Sequence, residues 1–254
     1  MTITFLGTGT SQGVPVIGCD CEVCNSADKK DKRLRTSINI QSEQTTLNID
    51  CGPDFRYQML KNKIKKMDAV LFTHGHKDHT GGLDDIRAFN FLQKQDMLVF
   101  ADNDTEITIK KQYDYIFQNH PYPGVPKVKI HHFENKLFEI NELEILPILV
   151  YHYKMPVFGF RLNDFTYITD ANHIPEKEYE KIRGTKTLVL NALRKEKHIS
   201  HFTLEEAIEI IKDIKPEKAY LTHISHQLGK HADVEKELPE NVSLAYDGLK
   251  IQIN

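Results

Sequence analysis

The segment VLFTHGHKDHTGG, residues 70–82, holds three histidines and an aspartate within six positions, directly after an apolar run. AVLFT reads as a strand ending at Thr73, and the H-x-H-x-D-H residues sit on the turn beyond it, followed by Gly81 and Gly82. A rigid strand end with permissive glycines lets several side chains converge on one point. His74 and His76, two residues apart, can point together at one metal ion, while Asp78 and His79 on the following turn face a second. One short motif thus supplies half of two metal sites. The chain must therefore fold so that distant segments bring the missing ligands. Candidates stand at strand ends: His152 after EILPILVY, Asp170 closing FTYITDA, and His223 closing KAYLTH. Taken singly, such a residue is solvated or capping; repeated at the same end of successive strands, beside the histidine turn, these residues form a shell.

The rest of the 254-residue chain reads as a single domain, residues 1–254, without repeats or linkers. Strands are expected at ITFLG, TSINIQ, TLNID, DAVLFT, MLVFA, LEILPILV, VFGFRL, FTYIT, TLVLN, KAYLT and the closing SLAYDGLKIQI, where Asp247-Gly248 reads as a hairpin turn. Helices are expected at about 53–62, 82–93, 105–117, 175–182 and 203–214. The last carries the strongest signal. Thr203 can cap it, Glu206 completes a capping box, and Ala207, Ile208, Ile210, Ile211 and Ile214 repeat on one helical face. Strands and helices mix without strict alternation, which gives an α+β class with two sheets covered by helices. QNHPYPGVP, residues 118–126, reads as a surface loop.

A second cluster lies in GCDCEVC, where Cys19, Cys21 and Cys24 leave a tetrahedral zinc site one ligand short. Cys51 can complete it, and so can His226, three residues beyond His223 in THISHQ. Crowded thiols in a chain with no leader-like start and no long apolar segment favour metal over disulfides and point to the cytoplasm, with no membrane partner. The net charge of −3, with lysines and arginines scattered, argues against a long nucleic acid as partner and leaves a small anionic substrate.

THGHKDHTGG with His152, Asp170 and His223 resembles the metallo-β-lactamase superfamily. The resemblance implies an αββα sandwich of two mixed β-sheets flanked by helices. It also implies that His74, His76 and His152 hold one ion, that Asp78, His79 and His223 hold the other, and that Asp170 bridges them. Asp50 in LNIDCG resembles the strand-end aspartate that buttresses the metal loop without ligating. GTGTSQGVPVIGCDCEVC with LTHISHQ further resembles the PhnP-like phosphodiesterases, which open a phosphoribosyl cyclic phosphate. That likeness implies a structural zinc on Cys19, Cys21, Cys24 and His226, and two divalent ions, manganese or zinc, in the active site. It also implies a catalytic histidine at His201 in HISHFTLEEA, just before the capped helix, with His198 as competitor. Many relatives are dimers, so a homodimer is expected.

The function implied is hydrolysis of a small phosphate diester, such as phosphoribosyl 1,2-cyclic phosphate or a 2′,3′-cyclic nucleotide. Two cations ready a water for attack on phosphorus, Asp78 is essential to the metal site, and His201 helps protonate the leaving oxygen. Two rival readings stand: a lactone or thioester hydrolase of the same fold, and a non-hydrolytic metal-binding protein of the pyrroloquinoline-quinone pathway type. No role is assigned to Cys51, and His120, His131, His132, His173 and His231 are expected on the surface.

Overall fold

The computed structural model describes residues 1–119 and 122–253, so His120 lies outside the described residues. In chain order the strands are β1 (Thr2–Gly7), β2 (Ser37–Gln41), β3 (Thr46–Ile49), β4 (Ala69–Leu71), β5 (Met97–Ala101), β6 (Val128–His132) and β7 (Phe138–Ile140). They continue with β8 (Leu143–His152), β9 (Met155–Leu162), β10 (Phe165–Ile168), β11 (Thr187–Asn191), β12 (Lys218–Thr222), β13 (Val242–Leu244) and β14 (Lys250–Gln252). One sheet has the order β14-β1-β2-β3-β4-β5-β6 and the other β13-β12-β11-β10-β9-β8-β7. Both are mixed. β3 to β6 run parallel in the first and β10 to β13 in the second, with antiparallel neighbours on the other side.

The alternation of side chains builds four layers. Ile3, Phe5, Ile38, Ile40, Leu47 and Ile49 point inward and meet Phe158, Phe160, Phe165 and Tyr167 of the opposite sheet. The outer face of the first sheet, through Leu6, Val70, Phe72 and Val99, is covered by α1 (Phe55–Asn62), α3 (Arg87–Gln93) and α4 (Asn103–Gln112), while the short α2 (Lys77–Thr80) carries Asp78 and His79. The outer face of the second, through Ile168, Leu190 and Leu221, is covered by α5 (Glu176–Ile182), α6 (Leu204–Ile214) and α7 (His231–Val234). This is the helix–sheet–sheet–helix sandwich expected from the sequence.

The capping box of α6 forms as its sequence requires. Glu206 N donates to Thr203 Oγ1 at 3.2 Å, and Thr203 N donates to the Glu206 carboxylate at 2.9 Å. Ala207, Ile211 and Ile214 are buried, and Lys215 ends the helix in the left-handed conformation before Pro216. Removing the cap with Thr203→Ala should lower the free energy of unfolding by about 1 kcal/mol. A denaturant midpoint unchanged from wild type would show that the cap adds nothing.

Three expectations are corrected. Asp247-Gly248 does not close a hairpin, because β13 lies beside β12 in the second sheet while β14 pairs with β1 in the first. The turn carries the chain between sheets. Gly248, at φ 98, donates its N–H to Phe5 O, and the Asp247 carboxylate accepts from Leu34 N and Thr8 Oγ1. The helix expected at 105–117 starts earlier, at Asn103 behind the Asp102 cap, and stops at Gln112 before a 3-10 turn over Asp114–Ile116. His231 is buried, not on the surface: its backbone N–H donates to Asp31 and its Nδ1 accepts from Arg33 at 3.1 Å. β6 and β7 had no recognised signal; β6 owes its place to parallel pairing with β5.

Candidate metal centre

Functional side chains gather where β3, β4, β10 and β12 end, together with the last residue of β8. Open α/β sheets bind ligands beyond such carboxyl ends. Asp50, Asp170 and His223 each leave their strand with positive φ (64°, 51° and 55°), a conformation that turns the chain sharply at the sheet edge. The loop after β3 then crosses the histidine loop with almost no clearance. A Cβ on Gly52 would stand 2.0 Å from Asp78 O, so glycine is required there. Cys51 N donates to His79 O, and Gly82 N to Cys51 O, so the two loops are laced together by their backbones.

The charged groups are ordered from the inside outward. Buried Asp50 accepts from Thr73 N and Thr73 Oγ1, both at 2.9 Å, and meets His79 Nδ1 at 2.7 Å. That contact fixes the His79 ring and turns its Nε2 towards Asp170 Oδ2 at 2.8 Å and Asp78 Oδ2 at 3.2 Å. His223 Nε2 lies 2.8 Å from Asp170 Oδ1, and His201 Nδ1 lies 3.5 Å from the same oxygen. His152 donates from Nδ1 to Ser200 O at 2.8 Å, which leaves its Nε2 free. The His76 ring stands 4.7 Å from that of His74 and 5.3 Å from that of His152.

Three sets have ligand-type atoms within 4.8 Å of one another: His74, His79 and Asp170; Asp78, His79 and His223; and His152, Asp170 and His201. Asp170 belongs to two of these sets, as does His79. His76 belongs to none and stands exposed at the edge; His201 stands inside a set.

The donor set fits divalent cations. His74 Nε2, both ring nitrogens of His223 and His201 Nδ1 are buried without a hydrogen-bond partner, although His223 Nε2 lies close to Asp170. Buried polar atoms are rarely left so, and several converging lone pairs beside carboxylates suit a metal. Ligand atoms on a sphere of about 2.1 Å radius at right angles stand about 3 Å apart, close to the Asp170 and His79 spacings. The local field also calls for positive charge. Burial opposes a charge on His79, but Asp170, Asp50 and Asp78 outweigh it and raise its pKa well above the usual value. Asp170 is likewise held well below the carboxylate range: burial raises it, and His223 with His79 more than reverse that. His74, buried beside His79, is pushed well below the usual imidazole value. Burial and the neighbouring His223 bring His201 down to about 2.

The cysteine cluster is separate. His226 Nδ1 stands 3.3 Å from the sulfurs of Cys19 and Cys21 and 3.5 Å from that of Cys24. Tetrahedral ligands at about 2.0 to 2.3 Å from zinc give separations of about 3.6 Å, so these four residues fit a structural zinc. The Cys24 N–H pointing at its sulfur is the largest influence lowering the Cys21 pKa, to about 6, whereas burial pushes Cys24 up to about 11. Cys51 is buried in the core behind the histidine loop, among Leu6, Phe55 and Phe72. One short stretch, His223–His226, therefore reaches both clusters.

Several supporting residues had no signal in the sequence. Thr73 orients Asp50, the Ser200 carbonyl orients His152, and Gln112 accepts from Thr80 Oγ1 while donating to Gly75 O, bracing the loop from α4. Only contact across the fold reveals them. His131 is half-buried and stacks on Phe100, while His132 and His173 are exposed.

Residues 45–224 match the family described as beta-lactamase superfamily domain. Among solved structures, the chain is similar to a diphosphatase from the PhnP family, with 39% identity and a TM-score of 0.93, covering all of this chain and 98% of that one. Among curated proteins it is 37% identical over 257 residues to an octanoyltransferase of Porphyromonas gingivalis, which covers all of this chain. It is 26% identical over 163 residues, 62% of this chain, to a probable RNase of Methanocaldococcus jannaschii. The chain spans only 52% of the former protein's length and 33% of the latter's.

Proposed function

This chain belongs to the PhnP family of the beta-lactamase superfamily, and we propose that it is a metal-dependent phosphodiesterase acting on small, typically cyclic, phosphate diesters. The observation that carries the reading is Asp170, whose two carboxylate oxygens face His79 on one side and His223 and His201 on the other. His74, His76 and His152 would hold one divalent ion, Asp78, His79 and His223 a second, with Asp170 shared, and Cys19, Cys21, Cys24 and His226 would hold a structural zinc. When bound, a pair of such ions supplies Lewis acidity and lowers the pKa of water to about 7. The diphosphatase and the RNase among its relatives act, by their names, on phosphorus, which supports the choice of ester over lactone or thioester.

The chain's own residues divide the remaining work. Asp50 holds the His79 proton on Nδ1 so that Nε2 stays available, and Ser200 O does the same for His152. Buried His201 stands over the site at the N-terminal approach to α6, its ring 4.5 Å from that of His152 and 4.7 Å from that of His223. Its Nδ1 faces Asp170, which leaves Nε2 to meet the ester. A bound diester brings negative charge beside this imidazole and raises its pKa, so that it can carry the proton needed by the departing oxygen.

His201→Ala should therefore lower kcat by about 10² to 10⁴ on diesters with alkoxide leaving groups. The loss should be much smaller on p-nitrophenyl esters, whose leaving group needs little protonation. Equal losses on both substrates would remove His201 from the role of acid. A lactone cleaved better than any diester, with His201 dispensable, would favour the rival lactone or thioester hydrolase. Elemental analysis of protein from metal-replete cells, followed by bis(p-nitrophenyl) phosphate and 2′,3′-cyclic nucleotides with each ion restored, tests the function itself. Metal-loaded protein inert towards all of them would overturn it.

A further inference from the structure

Among the described residues, nine non-glycine residues take positive φ, and eight have an evident reason. Lys63, Lys94 and Lys215 end helices, Asn141 and Asn163 open two-residue hairpin turns, and Asp50, Asp170 and His223 leave strands at the metal cluster. The ninth is Tyr153, at φ 58. It opens the two-residue turn joining β8 to β9, the place that asparagine fills in the other two hairpins. Asparagine tolerates this conformation because its short side chain bonds locally; a bulky aromatic residue gains nothing there. Core packing does not explain the choice, since Tyr153 is 52% exposed.

The turn borders a cavity of about 390 Å³ that opens beside the metal cluster. Tyr153, Lys154, Met155 and Ile199 form much of its wall, and His76 and His152 connect it to the candidate ligands. Ile199 is 66% exposed, a second large apolar residue left out of the core. A single side chain fixes both. Asn172 accepts from Tyr153 N at 2.7 Å through Oδ1 and donates from Nδ2 to Ile199 O at 3.1 Å. Its own N–H donates to Tyr151 O, so the clamp is anchored to β8. The wall carries a lysine and no carboxylate, and Lys154 Nζ lies 5.4 Å from the centre of the Tyr153 ring.

We propose that this cavity is a specificity subsite for the organic arm of the ester, and that it selects a planar aromatic group such as a nucleobase or aryl ring. The ring lies against Tyr153 and Ile199, Lys154 meets nearby negative charge, and Asn172 positions the two loops. The cavity is large enough for a small ligand, and an aromatic face accepts any flat ring. This assignment rests on the phosphodiesterase reading, which places phosphorus beside His76 and His152.

The test is calorimetric titration of metal-loaded protein with adenosine 5′-monophosphate and, separately, with inorganic phosphate. Wild type should bind the nucleotide about 10-fold more tightly than phosphate. Tyr153→Asn should bring the two affinities together without changing that for phosphate, while thermal stability holds or rises because asparagine suits the turn. Tyr153→Phe should keep the difference. Equal binding of both ligands by wild type, or equal weakening of both in Tyr153→Asn, would overturn the subsite. Turnover of bis(p-nitrophenyl) phosphate separates the two layers: its absence in wild type with every ion sinks the phosphodiesterase reading, whereas turnover without nucleotide preference sinks the subsite alone.

Discussion

Asp170→Ala should reduce hydrolysis of bis(p-nitrophenyl) phosphate by on the order of 10³-fold or more, with a matching fall in metal bound per chain. The expectation follows from the position of this carboxylate. It is buried, and it is the acidic group that faces His79, His223 and His201 together. Without it, His79 keeps Asp50 and Asp78, but His223 loses the charge 2.8 Å away, and divalent ions placed near each other would lack a shared anion to offset their repulsion. The far-ultraviolet circular dichroism should stay that of wild type, because Asp170 lies at a strand end and the core residues around β10 are untouched. Elemental analysis decides the matter. A variant that keeps its full metal complement and most of its activity would show that the two halves of the cluster do not depend on Asp170.

Cys21→Ala should do the reverse, costing stability and sparing chemistry. Cys19, Cys21 and Cys24 meet His226 at the far end of the chain, so a metal held there would close a loop of two hundred residues and pin the N-terminal segment to the wall of the active site. Metal bound only by the folded state adds its binding energy to folding. Loss of one of four ligands should therefore lower the melting temperature by about 10 °C, equivalent to roughly 3 kcal/mol for a chain of this size. Turnover at 25 °C should remain within about 3-fold of wild type, since His223 is held separately by β12. Scanning calorimetry and initial rates on the same preparation read the two effects. A melting temperature like that of wild type, or an activity loss as deep as that of Asp170→Ala, would erase the distinction between the two clusters.

The motif-bearing parts of the fold were legible because their residues carry chemistry that little else explains. H-x-H-x-D-H after an apolar strand, C-x-C-x₂-C, and histidines or aspartates closing successive apolar runs all signal convergence without any knowledge of the fold. Helix α6 was legible from its capping box and apolar repeat, both local properties of the chain. The failures share a physical cause too. Asp247-Gly248 is a good turn, but nothing local says whether the strands it joins pair with each other or enter different sheets. His231 looks like a surface histidine until Arg33 and Asp31 are brought against it from two hundred residues away.

By itself, then, the sequence determined which groups were available and in what local register. Strand periodicity, helix caps and motif spacing are set by neighbours in the chain, where covalent geometry limits the choices. Only the tertiary structure decided how they meet: that Asp170 stands between His79 and His223, that Ser200 and Asp50 orient two imidazoles, that His226 and not Cys51 joins the cysteines, and that Asn172 clamps Tyr153 beside the metal cluster. Each of these depends on contact between segments far apart in sequence. Such contacts are settled by the packing of two sheets around one core, which no local window of residues encodes.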